Sequence, residues 1–392
     1  MKRRDFIKTA VSAAALAPAM TFAERSAPAA AQKKTVLPRR RGFNLLNMFL
    51  PVGNTFKGSG NYDLGAFREE DFAIIKEWGF DFVRLPLCYW CWSSEDDWFR
   101  MDEKPLKQID QAVEWGRQYG IHVNINFHRA PGYCVNPDPV IKLGSNLLTD
   151  EAPHEAFCYQ WAKFAERYRG IPSSQLSFDL LNEPPKRNRD GYIKVVRDAV
   201  KAIRDADPDR LVCADGFDYG NVPIGEFADI ENFYQSARGY SPHVITHFRA
   251  RWMPHLMNFP EEKLKWPIEH NGKFYDKNAL AEMYEQNWGA WERGGGAVHV
   301  GEFGCHNQTD PAANRKRVVQ GHPRGVQTAQ LEMGFVAAAR KFRRARLRAR
   351  RRQVRKLRGR KARPRTSRNT EAGLAPTFAE ARAKYAKQNA CG

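Results

Sequence analysis

The chain has 392 residues, enough for one large domain or two ordinary ones, and its 42% hydrophobic content with ten tryptophans allows a sizeable core. The net charge of +19 is confined to one end: residues 311–392 carry 24 Lys and Arg against 3 Asp and Glu, whereas residues 1–310 carry 39 against 41. A near-neutral body excludes nucleic-acid binding by bulk charge anywhere except that tail. Seven cysteines, an odd number, are no disulfide framework, and the single C-x-x-C at Cys88 and Cys91 lacks the second pair that a zinc site needs.

Residues 1–23 read as a signal peptide. Lys2-Arg3-Arg4-Asp5-Phe6-Ile7-Lys8 precedes a short Ala-rich apolar run, the layout of a twin-arginine-type signal, and this predicts export to the periplasm or the cell exterior. The run is too short and Ala-rich for a stable membrane span. Residues 24–38, rich in Ala, Pro, Lys and Gln, form a linker.

A strand–helix rhythm fills residues 39–310. Strands are expected to start near Phe43, Asp81, Ile121, Gln175, Arg210, His243 and Ala297, with helical patterns at Phe67–Trp78, Leu106–Tyr119, His154–Tyr168, Ile193–Ala206 and Asn278–Arg293. Strands alternating with helices imply a parallel sheet. The length matches a (β/α)8 TIM barrel, which runs to about 250 residues. A doubly wound sheet would want a glycine-rich phosphate loop after the first strand, and Gly53, Gly58 and Gly60 are too scattered to make one.

In a barrel the chemistry gathers where the strands end. The fourth strand runs into Asn182-Glu183-Pro184 and the seventh into Gly301-Glu302-Phe303-Gly304. The second offers Arg84, with Tyr89, Trp90 and Trp92 beyond it; the third offers His128. The sixth strand is placed between Tyr240 and His247, with Trp252 following. Asn44 or Asn47 and Asp215 come from the first and fifth. Two glutamates across a barrel mouth, surrounded by aromatic rings, suit glycoside hydrolysis, which needs an acid for the leaving oxygen and a carboxylate on the opposite face of the sugar. Each candidate also has a plain structural reading. Arg84 fits a barrel-internal ion pair, His128 and His247 fit packing roles, and Trp252 fits the core.

The sequences RLP, NFHRAPGY, NEP and VGEFG, in this order, resemble glycoside hydrolase family 5, the cellulase-type barrels, from about Arg40 to Asn307. The resemblance implies a retaining β-glycosidase acting on β-1,4-linked polysaccharide, cellulose, β-glucan or mannan, with Glu183 as acid/base and Glu302 as nucleophile. It places Arg84, His128 and Asn182 on matching motif positions; Tyr240, His247, Trp252 and Trp90 join them as substrate-binding candidates. No cofactor, metal or nucleic-acid partner is expected, and a monomer is expected. The family's His-x-Tyr at the sixth strand is not met by His247-Phe248-Arg249, which puts fine substrate preference in question.

The family also needs an eighth strand ending in a tryptophan, and this chain has no Trp after Trp291. Instead, residues 340–368 hold 17 Lys and Arg in 29 positions. Such a block reads as a disordered or helical basic tail. Its Arg-Ala runs also fit a frame shift between Asn307 and Arg340. A barrel without its eighth strand has two unpaired edges, predicting weak stability or activity. Two rivals follow: a non-catalytic carbohydrate-binding protein, and nucleic-acid binding through the tail.

Overall fold

The computed structural model describes residues 35–50, 65–135, 143–250 and 252–306. The expected signal peptide, most of the linker, the basic tail, the eighth strand and the frame shift lie outside the described residues.

Seven strands form one parallel sheet in chain order. They are β1 Gly42–Asn44, β2 Phe82–Cys88, β3 His122–Ala130, β4 Leu176–Asp179, β5 Leu211–Asp215, β6 Phe233–Gly239 and β7 Val298–Phe303. Each pairs in parallel with its predecessor. Between them run α1 Glu69–Glu77, α2 Glu103–Tyr119, α3 Glu151–Tyr168 and α4 Arg189–Ala206. Before β7 come a hairpin of Ile268–His270 with Lys273–Tyr275 and the helix α5 Lys277–Tyr284. The sheet curls almost shut into a barrel: the Asn44 amide of β1 donates to the Gly301 carbonyl of β7 at 3.1 Å.

Alternation along the strands decides what fills the barrel. On β3, Val123, Ile125 and Phe127 pack outward under the helices, where Phe127 stacks on Trp161 of α3 with ring centroids 4.0 Å apart. The intervening Asn124, Asn126 and His128 are buried as well. The two asparagines find partners there: Asn124 donates to Ser177 Oγ at 2.9 Å and Asn126 to the backbone carbonyl of Asp179 at 3.1 Å. The interior is therefore hydrogen-bonded, and the apolar core is the shell between sheet and helices.

Pro86 sits inside β2, a position that normally excludes proline because it lacks an N–H. Leu45 N–H donates to the Arg84 carbonyl and Cys88 N–H to the Met48 carbonyl, so alternate β2 residues point toward β1. Strand β1 ends opposite Arg84, so the missing N–H of Pro86 faces a side with no strand to serve.

The sixth strand corrects the sequence reading. His243–Thr246 is a helical turn, and the strand is Phe233–Gly239. Its inward residues are polar, and Gln235 is buried as well, both ends of its amide held by the Ile224 backbone at 2.8 and 3.0 Å. The segment thus lacks the apolar run that marked its neighbours, while Val244 and Ile245 supplied a false one. Arg84 is also displaced from expectation: β2 continues four residues past it, so Arg84 lies within the strand and fully buried.

Candidate active site

Glu183 stands just beyond β4, where pairing continues through Leu180 N–H to the Cys213 carbonyl and Asn182 N–H to the Phe127 carbonyl. Its φ of +51° lies in the left-handed region, which costs a side-chain-bearing residue energy. Two neighbours hold it there. Asp215 at the end of β5 accepts the Glu183 N–H at 2.7 Å, and the Tyr133 hydroxyl donates to the Glu183 carbonyl at 2.7 Å. Backbone strain at this point aims the carboxylate away from the strand line and into the barrel mouth.

Glu302 is aimed by a different device. The register between β7 and β6 slips between Val300 and Glu302, a bulge that re-orients the side chain. Gly301 leaves the room this needs: a Cβ at 301 would come 2.4 Å from Ser236 Oγ, which would have to shift. Arg84 Nη1 donates to Glu302 Oε1 at 2.5 Å, and the Tyr240 hydroxyl donates to Oε2 at 3.0 Å.

A guanidinium that the sequence reading overlooked joins the two. Arg238, at the end of β6, donates from Nε to Glu183 Oε1 at 3.0 Å, and its Nη2 stands 3.5 Å from Glu302 Oε1. It also pairs with Asp215 through both terminal nitrogens and donates to Asn182 Oδ1 at 2.9 Å. The signal that reveals it is period two: Tyr234, Ser236, Arg238 and Tyr240 share the inward face once β6 is placed correctly. That register also puts Arg238-Gly239-Tyr240 at the end of the sixth strand, with the tyrosine at the third position of the expected His-x-Tyr and arginine at the first.

The environments push the two glutamates apart. Burial, the nearby Glu302 charge and Asp215 raise the Glu183 carboxyl to about 7 against the pull of Arg238. Burial alone would raise Glu302 too, but Arg238 and Arg84 with the Tyr240 hydrogen bond bring it down to about 2. At neutral pH Glu302 is ionised and Glu183 is poised near half protonation. Paired carboxyls separated in this way divide into an acid and a base.

The remaining candidates fall into two groups. Arg84 is the hub beneath the mouth, donating to Asp179, Asn44, Glu302 and Asn182. Asn182 accepts from both arginines through Oδ1, and its buried Nδ2 has no hydrogen-bond partner among the described residues. His128 is buried and kept neutral by that burial; its Nδ1 is likewise unpartnered among the described residues. From Tyr240 a file of rings leads outward: His247 at 4.8 Å, Trp252 at 6.0 Å from His247, and His306 at 5.2 Å from Trp252. Burial lowers His247 to about 3, so it too is neutral. Trp90 stands at the same end of the barrel but apart from this file, its indole N–H donating to Glu95 at 2.6 Å.

A cavity of about 600 Å³ lies at the other end of the barrel, lined by the strand starts Phe82, His122, Leu211, Tyr234 and His299 and by Arg40. It contains neither glutamate. No group of three or more His, Cys, Asp and Glu side chains among the described residues is arranged to hold a metal ion. No described helix is long and apolar enough to cross a membrane.

Residues 51–331 match the family described as cellulase, glycosyl hydrolase family 5. The chain belongs to that family. Endoglucanase C of Acetivibrio thermocellus is 30% identical over 207 residues, covering 52% of this chain and 59% of the relative. Cellodextrinase A of Ruminococcus flavefaciens is 27% identical over 247 residues, 60% of this chain and 68% of the relative. This family 5 chain thus spans about three fifths of the length of the first of these relatives. A solved glycoside hydrolase matches with a TM-score of 0.65 and 33% identity over 72% of this chain and 84% of that one.

Proposed function

We propose that this family 5 chain hydrolyses β-1,4-linked glucan by double displacement, with Glu302 as nucleophile and Glu183 as acid/base. The observation that carries the reading is the opposed ionisation of two glutamates that share one guanidinium. The endoglucanase and cellodextrinase names of its relatives support a glucan substrate.

The chemistry follows from the two protonation states. The Glu183 carboxyl gives its proton to the glycosidic oxygen as the Glu302 carboxylate attacks the anomeric carbon. The glycosidic C–O bond breaks, and a glycosyl ester forms on Glu302. Glu183, now a carboxylate, takes a proton from water as that water attacks the same carbon, and Glu302 is released. The Asn182 Nδ2 is a free donor suited to the sugar 2-hydroxyl. The ring file from Tyr240 to Trp252 offers flat apolar surface to sugar rings. Export is part of the same proposal, supported by the Lys2-Arg3-Arg4 start. Cell fractionation with the Arg3 and Arg4 codons changed to Lys tests it.

The test of activity is the release of reducing ends from soluble β-glucan by wild type and Glu183→Gln. The proposal expects turnover by wild type and a loss of about 10²–10⁴-fold in the variant, the range for a general acid/base. A chain that binds glucan without turnover would be a carbohydrate-binding protein instead.

A further inference from the structure

We propose that Arg238 is the positioning residue that accompanies the exchange of charge between the two glutamates, staying in contact with both so that its charge stabilises the Glu302 carboxylate before glycosyl transfer and the Glu183 carboxylate after it. This rests on the double-displacement reading above.

The argument starts from charge balance. In the first half-reaction the Glu302 carboxylate spends an electron pair on the new C–O bond and becomes a neutral ester. The Glu183 proton leaves with the departing oxygen, so Glu183 becomes the carboxylate. One negative charge disappears from one side of the mouth and one appears on the other. A cation that touches both sides favours the two end states without moving. Arg238 does so, with Nε on Glu183 at 3.0 Å and Nη2 at 3.5 Å from Glu302. Arg84 cannot substitute, because its donors go to Asp179, Asn44, Asn182 and Glu302 and none reaches Glu183.

The guanidinium is also fixed in place. Asp215 accepts from both terminal nitrogens, and Ser236 Oγ accepts from Nη1 at 2.8 Å. Its stem lies against Gly220, where an added Cβ would come 2.8 Å from Arg238 Cγ. The side chain is only 3% exposed, so water screens these interactions weakly. The charged and titratable groups around the pair are Arg84 from β2, His128 from β3 and Tyr133 after it, Asp179 from β4, Asp215 from β5, Arg238 and Tyr240 from β6 and its end, and His247 beyond it. Of these, Arg238 alone makes a side-chain ion pair with Glu183 among the described contacts.

The sign is fixed by this geometry. The positive charge favours ionised Glu183, so removing it makes Glu183 hold its proton to higher pH. First-step chemistry then persists to more alkaline pH. The second step, which needs the Glu183 carboxylate, slows, and glycosyl-enzyme accumulates.

The experiment uses the full chain with two substrates: soluble β-glucan, whose leaving oxygen needs the Glu183 proton, for the pH profile, and 2,4-dinitrophenyl β-cellobioside, whose good leaving group needs none, to make the second step visible. Steady-state pH profiles on the glucan and rapid-quench bursts on the dinitrophenyl glycoside are measured for wild type, Arg238→Gln, Arg238→Met and Arg238→Lys. The neutral variants are expected to move the alkaline limb of kcat/KM up by about one pH unit or more, the usual effect of a charge in contact. They should show a burst of dinitrophenol with glycosyl-enzyme visible by mass, while Lys keeps the limb within half of that shift. Should Gln not fold, Met carries the comparison. A uniform fall in rate with unmoved limbs and no burst overturns the proposal, as does a Lys variant that shifts as far as Gln. If Glu183→Gln retains wild-type turnover and pH profile, the assignment of Glu183 itself fails, and the role of Arg238 falls with it.

Discussion

Glu183 and Glu302 have the same side chain, and their neighbours make them chemically unlike. Two guanidiniums and a tyrosine hydroxyl face Glu302; one shared guanidinium and the Glu302 charge itself face Glu183. On the double-displacement proposal, activity requires Glu302 ionised and Glu183 protonated. The first condition holds above about 2 and the second fails above about 7, so kcat/KM on soluble β-glucan should be flat through mildly acidic pH and fall as pH rises past 7. A profile with an alkaline limb above 9 would contradict that assignment. Asn182→Ala tests the free amide. It removes the donor proposed for the sugar and one acceptor shared by Arg84 and Arg238, and a fall of about 10²-fold or more in kcat is expected, the scale for a lost transition-state donor. The two glutamates were legible in the sequence because each ends an apolar strand beside a proline or glycine. Arg238 was not, because its value depends on the register of a strand whose buried face is polar.

At the scale of elements, sequence periodicity located every main helix but started several late. Helix α2 begins at Glu103 where the apolar pattern suggested Leu106, and α4 begins at Arg189 where it suggested Ile193. First helical turns are polar here, since their N–H groups face water or a cap, and an apolar count cannot see them. The start of α4 is set by Asn188, whose side chain accepts the Gly191 N–H while its backbone sits at φ +51°. Asn188→Ala removes the cap and leaves the strain, so unfolding free energy should fall by about 1–2 kcal/mol in urea titration. The β7 bulge offers a sharper test. Gly301→Ala forces a methyl toward Ser236 Oγ and disturbs the residue beside Glu302. Overpacking of this kind costs about 1–3 kcal/mol, and kcat should fall much further than stability does. Equal losses would mean that the bulge does not set the aim of Glu302.

For the whole molecule, the barrel architecture was readable because strand and helix patterns alternate along most of residues 39–310. Six of the seven expected strand starts fall within one residue of the observed ones. The polar interior was less legible, since an inward asparagine and an exposed one look alike in sequence. Only closure brings Asn124, Ser177 and Tyr234 into one network. Among the described residues β1 and β7 are the edges of the sheet, and Asn44 spans between them while accepting from Arg84. Asn44→Ala should therefore cost about 1–3 kcal/mol, the range for stranding buried polar partners, read as a lowered midpoint in thermal unfolding. The most direct measurement is trapping with a 2-deoxy-2-fluoro-β-cellobioside bearing a good leaving group, followed by peptide mass mapping. Double displacement through this pair predicts one cellobiosyl adduct, on the peptide containing Glu302 and at that residue, with time-dependent loss of activity. An active enzyme that forms no adduct, or carries it on another side chain, would contradict the account.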